Sequence, residues 1–190
     1  MIDHHKTATA VSDLLLALGV DEGEQTADTP NRVARYWSEA LAGYDSDPRQ
    51  HLERTFPATG DTGPVIMTGI RLNSTCAHHL LPITGSATVA YRPNPNDRVV
   101  GLSKLTRVLH GYARRLQVQE RIGAQVADAL MDVLTPEGAA CVITAEHGCM
   151  SVRGVGEHQA VTTTHAWGGA WASLDHPERA CVLAAHGRGL

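Results

Sequence analysis

Apolar positions at helical spacing open the chain: over residues 4–18, Val11, Leu14, Leu15 and Leu18 recur with a helical period, and Gly19 stops it. A second helix is punctuated more sharply. Thr29 stands as its N-cap, Pro30 at its first position, Val33, Tyr36, Trp37, Ala40 and Leu41 along its apolar face, and Gly43 at its end. Asp47-Pro48 starts a third helical turn that closes near Thr55, and residues 59–63 form a Gly/Thr-rich loop. There the period changes. Residues 65–72 and 85–91 alternate or carry β-branched side chains and predict strands, with a Pro/Asn loop at 92–96. Helical spacing returns over residues 103–134, interrupted near 116–119, and Pro136-Glu137-Gly138 turns the chain into an apolar strand at 140–145. Residues 152–155 and 160–166 read as a final hairpin. Asp175-x-x-Glu178 reads as a capping box opening a last helix that Gly187 ends. Helices, strands, two helices and strands in that order predict an α+β fold with an antiparallel sheet. No internal repeat or linker interrupts it.

The 190 residues suffice for one domain with a real core, 43% hydrophobic but with a single Phe, so the core rests on Ala, Val, Leu and Ile. A formal net charge of -4 argues against broad nucleic-acid binding. The N-terminus has no apolar stretch behind a basic start, and no apolar run reaches the roughly 20 residues of a membrane span. The expectation is a cytoplasmic protein with no membrane partner. Its four cysteines are then reduced, serving as metal ligands or buried apolar groups.

Those cysteines organise the chemistry. Cys76-Ala77-His78-His79 sets a thiol and an imidazole three residues apart, a pairing suited to Zn2+, and Glu146-His147-Gly148-Cys149-Met150 offers a second thiol far along the chain. Cys76, His79 and Cys149 would make three protein ligands and leave a position for water, whose pKa an open zinc site lowers to about 7. His78 and His147 would remain free for proton transfer. From spacing alone, His78 or Cys141 could instead close a four-ligand structural site, although Cys141 sits in an apolar strand and reads as core; Cys181 reads as buried or inert. In Gly101-Leu102-Ser103-Lys104-Leu105-Thr106-Arg107, Ser103 can cap a helix whose first turn carries Lys104 and Arg107 on one face. Two cations beside free N–H groups suit a polyphosphate, and a solvated basic face is the plainer alternative. Gln117-Val118-Gln119-Glu120-Arg121 holds a carboxylate able to accept from the N1–H and amino group of a guanine edge, or simply a surface glutamate. Arg153 follows Cys149 closely, as a second phosphate contact or a surface cation.

Taken in this order, the segments resemble GTP cyclohydrolase I. The matching stretches are Ser74-Thr75-Cys76-Ala77-His78-His79, the segment from Gly101 to Arg107, Gln117-Val118-Gln119-Glu120-Arg121, His147-Gly148-Cys149-Met150, Arg153-Gly154-Val155 and Thr162-Thr163-Thr164, with Thr29-Pro30-Asn31-Arg32-Val33-Ala34 and Gly43-Tyr44 upstream. The resemblance covers residues 14–169. It implies a tunnelling fold (T-fold), an antiparallel sheet with two helices on one face, with a helical N-terminal region at 1–58 ahead of a catalytic domain at 59–190. It implies a homodecamer with active sites at subunit interfaces, Zn2+ as cofactor and GTP as substrate. It makes Cys76, His79 and Cys149 the metal ligands and His78 and His147 the catalytic histidines. It also places Ser103 near the ribose, Glu120 with Gln119 at the guanine, and Arg32, Lys104, Arg107 and Arg153 on the triphosphate. The implied reaction adds water at C8 of guanine while a histidine protonates the ring nitrogen. Formate leaves, and ribose carbons close the pyrazine ring of 7,8-dihydroneopterin triphosphate.

Three positions depart from the family. Ala77 stands where an acidic residue is usual, His165 where a small hydroxyl residue is, and the tail 186–190 looks unlike the common one. They keep two other readings open: a paralogue of specialised metabolism that acts on another purine nucleotide or stops at the ring-opened formamide, and a non-catalytic zinc-binding assembly module.

Overall fold

The computed structural model describes residues 2–20, 23–58, 60, 63–95 and 97–189. Its centre is a five-stranded sheet in the order β5-β2-β3-β6-β7, formed by β2 (Val65–Cys76), β3 (Pro82–Arg92), β5 (Leu116–Gln117), β6 (Gly138–His147) and β7 (Thr162–Gly169). All neighbours are antiparallel except β5, which pairs parallel with the end of β2 through Thr75↔Leu116 and Cys76↔Gln117. Period-2 alternation sorts the strands onto two faces. Ile70, Leu72, Ile83, Ala87, Val89, Cys141 and Ile143 point to one face. There they meet Leu105, Val108 and Leu109 of α3 (Leu102–Ala113) and Ile122, Val126 and Leu130 of α4 (Gln119–Leu134). This is the T-fold arrangement that the resemblance implies. Ahead of it lie α1 (His4–Ala17) and α2 (Thr29–Ala40), two helices that pack on one another.

The opposite face is covered at one end by a helix. Ala90, Ala140 and Val142 pack with Trp171 and with Val182 of α6 (Pro177–Arg188). Arg92 fastens this end: it pairs with Glu137 at 2.9 Å and with Glu178, whose other oxygen accepts from Trp171 Nε1 at 2.8 Å.

The structure differs from the sequence pattern in several places. Residues 152–155 are not a strand. The partner of β7 is β6, and between them lies α5 (Gly148–Ser151), one short turn that the hairpin reading overlooked. A small two-stranded sheet, β1 (Thr55–Pro57) with β4 (Arg98–Val100), went unread because each strand has only three residues. Caps shift by one residue or more. Asp28 precedes α2, Gly101 precedes α3 so that Ser103 lies inside its first turn, and His176 caps α6 by accepting from Glu178 N–H. Cys181 is exposed, whereas Cys141 is buried and its thiol pushed up to about 12. Positions 59, 61 and 62 of the expected Gly/Thr loop, and 96 of the Pro/Asn loop, lie outside the described residues.

α6 brings His186 to the sheet, 5% exposed, with Nδ1 2.8 Å from Thr88 Oγ1 and Nε2 2.9 Å from Thr144 Oγ1. Burial first, and then the His165 charge, lowers its pKa. The unfolded chain, with an ordinary histidine near 6.5, therefore takes the proton first as pH falls. Stability from His186 is complete above about pH 6.5 and declines below it. Melting temperature is expected to drop as pH falls below about 6.5, and to drop less in His186→Gln. Equal slopes in the two proteins would mean that His186 is not the group responsible.

Candidate active site

Two chain reversals build one corner of the sheet. At the end of β2 a tight turn follows Cys76: Leu80 N–H donates to Cys76 O at 2.9 Å and Cys76 N–H to Leu81 O at 2.8 Å. Leu80 takes a positive φ of 57° to close it. Ala77 N–H is held by Gln117 O at 2.9 Å, so β5 clamps the turn from its other side. At the end of β6, His147 is the last strand residue and Gly148 starts α5. A Cβ on Gly148 would lie 3.1 Å from Pro82 Cδ and 3.2 Å from Leu81 Cβ, so only a glycine lets α5 press this closely against the first turn.

The result brings Cys76, His79 and Cys149 together, their ligand atoms all within 4.8 Å of one another. Cys76 Sγ lies 3.9 Å from His79 Nδ1, close to the edge of a tetrahedron with Zn–S near 2.3 Å and Zn–N near 2.0–2.1 Å. Cys76 is buried, Cys149 half-buried and His79 exposed, so the cluster opens outward. Burial, then the neighbouring Cys76, raises the pKa of the Cys149 thiol, and its own backbone and the Arg153 charge oppose them. Two thiols crowded in this way are what a divalent cation relieves. The exposed His78 ring stands edge-on to His79, with centroids 6.2 Å apart.

His147 is held from behind. Gln119, 1% exposed at the start of α4, donates its amide nitrogen to Ile143 O (3.0 Å), Thr162 O (2.9 Å) and Thr164 Oγ1 (3.1 Å). Two carbonyl acceptors around one atom fix that atom as the nitrogen. The remaining oxygen, 2.7 Å from His147 Nε2, must then accept, so His147 carries its hydrogen on Nε2 and turns Nδ1 free. Each polar atom of the Gln119 side chain, expected beside the guanine, thus has a partner inside the protein. Gln117, also 1% exposed, is likewise structural, donating to Tyr112 O and Gln125 and accepting from Arg121 Nε at 2.6 Å. Glu120 differs from both, being exposed in the first turn of α4 with no ion pair among the described residues.

Of the phosphate candidates, Lys104 and Arg107 stand apart from this corner. α3 runs alongside β2, with Thr106 Oγ1 3.6 Å from Met67 Sδ and Ser74 Oγ 2.6 Å from Ala113 O. Counting rises per residue along helix and strand puts Lys104 and Arg107 roughly 15–20 Å from Cys76. Ser103 shares their end of the helix. Arg32, on α2, is exposed and paired with Asp28 at 3.3 Å. Sequence reasoning missed His51 and Arg114, which border the cleft that Arg107 lines; nothing in their local sequence signals it, because the cleft forms only when the turn at 42–44 docks on α3.

Comparison with known proteins accounts for the whole pattern. The family model described as GTP cyclohydrolase I matches residues 7–186. A protein of Carboxydothermus hydrogenoformans named GTP cyclohydrolase 1 is 47% identical over 174 residues, covering 91% of this chain and 90% of its own. Proteins of the same name from Thermobifida fusca and Mycolicibacterium gilvum are each 46% identical, over 90% and 95% of this chain and 82% and 89% of theirs. With a match of that extent running through both reversals, the helices that face them and the sheet between, this chain belongs to the GTP cyclohydrolase I family.

Proposed function

We propose that this chain hydrolyses the imidazole ring of guanine in GTP, releasing formate and forming 7,8-dihydroneopterin triphosphate, with Zn2+ as its cofactor. The observation that carries the reading is the convergence of Cys76, His79 and Cys149 beside a histidine of fixed tautomer, in a chain of this family. Two thiolates and one imidazole suit zinc, and three protein donors match an open catalytic site. When bound there, the metal lowers the pKa of a coordinated water to about 7.

The other steps fall to side chains. His147, steadied through Nε2, offers Nδ1 for proton exchange with the substrate, and His78 supplies a second imidazole on the exposed side. Glu120, one residue from Gln119 and therefore at this corner, accepts from the N1–H and amino group of guanine. Gln119 supports the corner through His147. Arg153 meets the phosphate chain close to Cys149. Ser103, Lys104 and Arg107 lie too far from Cys76 to close on the same base within one chain with ease, which supports a site completed by a neighbouring copy. Arg32 adds a cation from the N-terminal helices. We read the assembly as the family's homodecamer, with interface active sites. No helix among the described residues is long and apolar enough to cross a membrane, in keeping with a cytoplasmic enzyme.

Incubation with GTP is expected to give formate and, after mild oxidation, pterin fluorescence. Formate without pterin, or accumulation of the ring-opened formamide without formate, would each point to a truncated reaction, with Ala77 the first suspect. Chelation should abolish turnover and added Zn2+ restore it, with protons released near pH 7 as the thiolates form. Cys149→Ser should lose stoichiometric metal. Gln119→Leu is expected to keep zinc and the KM for GTP while kcat falls by about 10–100-fold; a raised KM with unchanged kcat would return Gln119 to the substrate. Finally, Lys104→Ala and His147→Ala, each inactive alone, should regain turnover when unfolded and refolded together. Failure of the mixture, with assembly intact, would place both residues in the same subunit's site.

A further inference from the structure

Beyond the triphosphate contacts the resemblance assigns, α3 carries a second concentration of cations. A cleft of about 190 Å3 lies between α3 and the turn at Ala42–Tyr44, lined by His51, Arg107, His110, Arg114, Ser46 and Gly111. No carboxylate is among its lining residues, and neither Arg107 nor Arg114 has an ion-pair partner among the described residues. Glu39 borders Arg114 only across a different cleft, on the α2 side. His110 donates or accepts at Nε2 with Arg71 O, 3.0 Å away; because a carbonyl only accepts, the hydrogen is on Nε2. The His51 pKa is lowered by burial first and then by the positive charges of Arg107 and Lys104.

The walls are rigid at the level of the backbone. Gly43 N–H donates to Arg114 O at 2.9 Å, and Arg115 Nε donates to Gly43 O at 2.8 Å. A Cβ on Gly43 would lie 2.1 Å from Gly111 O, and one on Gly111 would lie 2.8 Å from Pro48 Cβ. The turn therefore meets the helix main chain against main chain, holding His51, Arg107 and Arg114 around the cleft. The negative end of the α3 dipole accounts for the Arg114 guanidinium. It leaves Arg107, more than a turn before that end, without a counter-charge.

We propose that this cleft binds a phosphoryl-class oxoanion, sharing Arg107 with the triphosphate clamp but built on His51, His110 and Arg114. Two guanidiniums offer charge-assisted donors to tetrahedral oxygens, the His51 ring stands beside them, His110 is held by Arg71 O at the wall, and the volume is many times what one water needs. The anion is either free phosphate or pyrophosphate, or the terminal phosphoryl of bound GTP. Only this second source rests on the function proposed above.

Calorimetric titration of the zinc-loaded full chain with inorganic phosphate and with pyrophosphate tests the site without turnover. GTP turnover is measured separately on the same preparation, so that failure of the enzymatic reading would be seen independently. Binding is expected, weakened about 10-fold or more in Arg114→Gln and largely restored in Arg114→Lys, with zinc content and circular dichroism unchanged. If the site takes the substrate's own phosphoryl, phosphate competes with GTP and Arg114→Gln raises KM at constant kcat. If it takes a free anion, phosphate changes turnover without competing. No heat with either anion would overturn the proposal. So would binding that survives Arg114→Gln but is lost in Lys104→Ala, since that anion would belong to the clamp alone.

Discussion

One buried amide ties the active corner to the sheet. Gln119 opens α4, and its nitrogen bridges β6 and β7 through Ile143 O and Thr162 O while its oxygen holds His147. The position of α4, the spacing of two strands and the ring orientation of a histidine are thus set by the same group. Removing it would leave buried acceptors without donors, each costing about 1–3 kcal/mol, and would free the imidazole to rotate. The corner needs this support because its other components are turns. Cys76 and Cys149 come from segments separated by more than half the sheet's sequence and meet only because Gly148 lets α5 approach Leu81 and Pro82.

The arrangement divides the chemistry between two ends of one protomer. Cys76, His79 and Cys149, the candidate metal ligands, gather with His147 where β2 and β6 finish, while Lys104 and Arg107 stand in the first half of α3. A clamp far from the reacting atom suits a substrate whose phosphates take no part in ring opening, since its binding energy then positions the base.

Much of this was legible beforehand. Helical spacing located α1, α2, α3 and α4, and β-branched alternation located β2, β3 and β6, because each buries one continuous stripe or face. The convergence of Cys76, His79 and Cys149 was legible through residue type and motif order. What escaped depended on contacts distant in sequence. α5 is a single turn, too short to show a helical period, and the β-branched Val152 and Val155 just after it mimicked a strand. β1 and β4 are each too short to show a period. Gln119 and Glu120 look equivalent as neighbours in a polar motif, yet the helix start turns one inward and leaves the other exposed. The cleft at Arg114 depends on a turn more than sixty residues earlier.

The contact between that turn and α3 also constrains how the chain can evolve. At position 111 the obstacle to a side chain is Pro48 Cβ and Cγ, so a glycine at 48, which alone lacks a Cβ, could open the way and the two positions can change as a pair. At position 43 the obstacle is the carbonyl of residue 111, present whatever amino acid occupies that place. No second substitution removes a main-chain oxygen. Position 43 is therefore closed to compensation while position 111 is not, and descendants of this sequence should explore one glycine and keep the other.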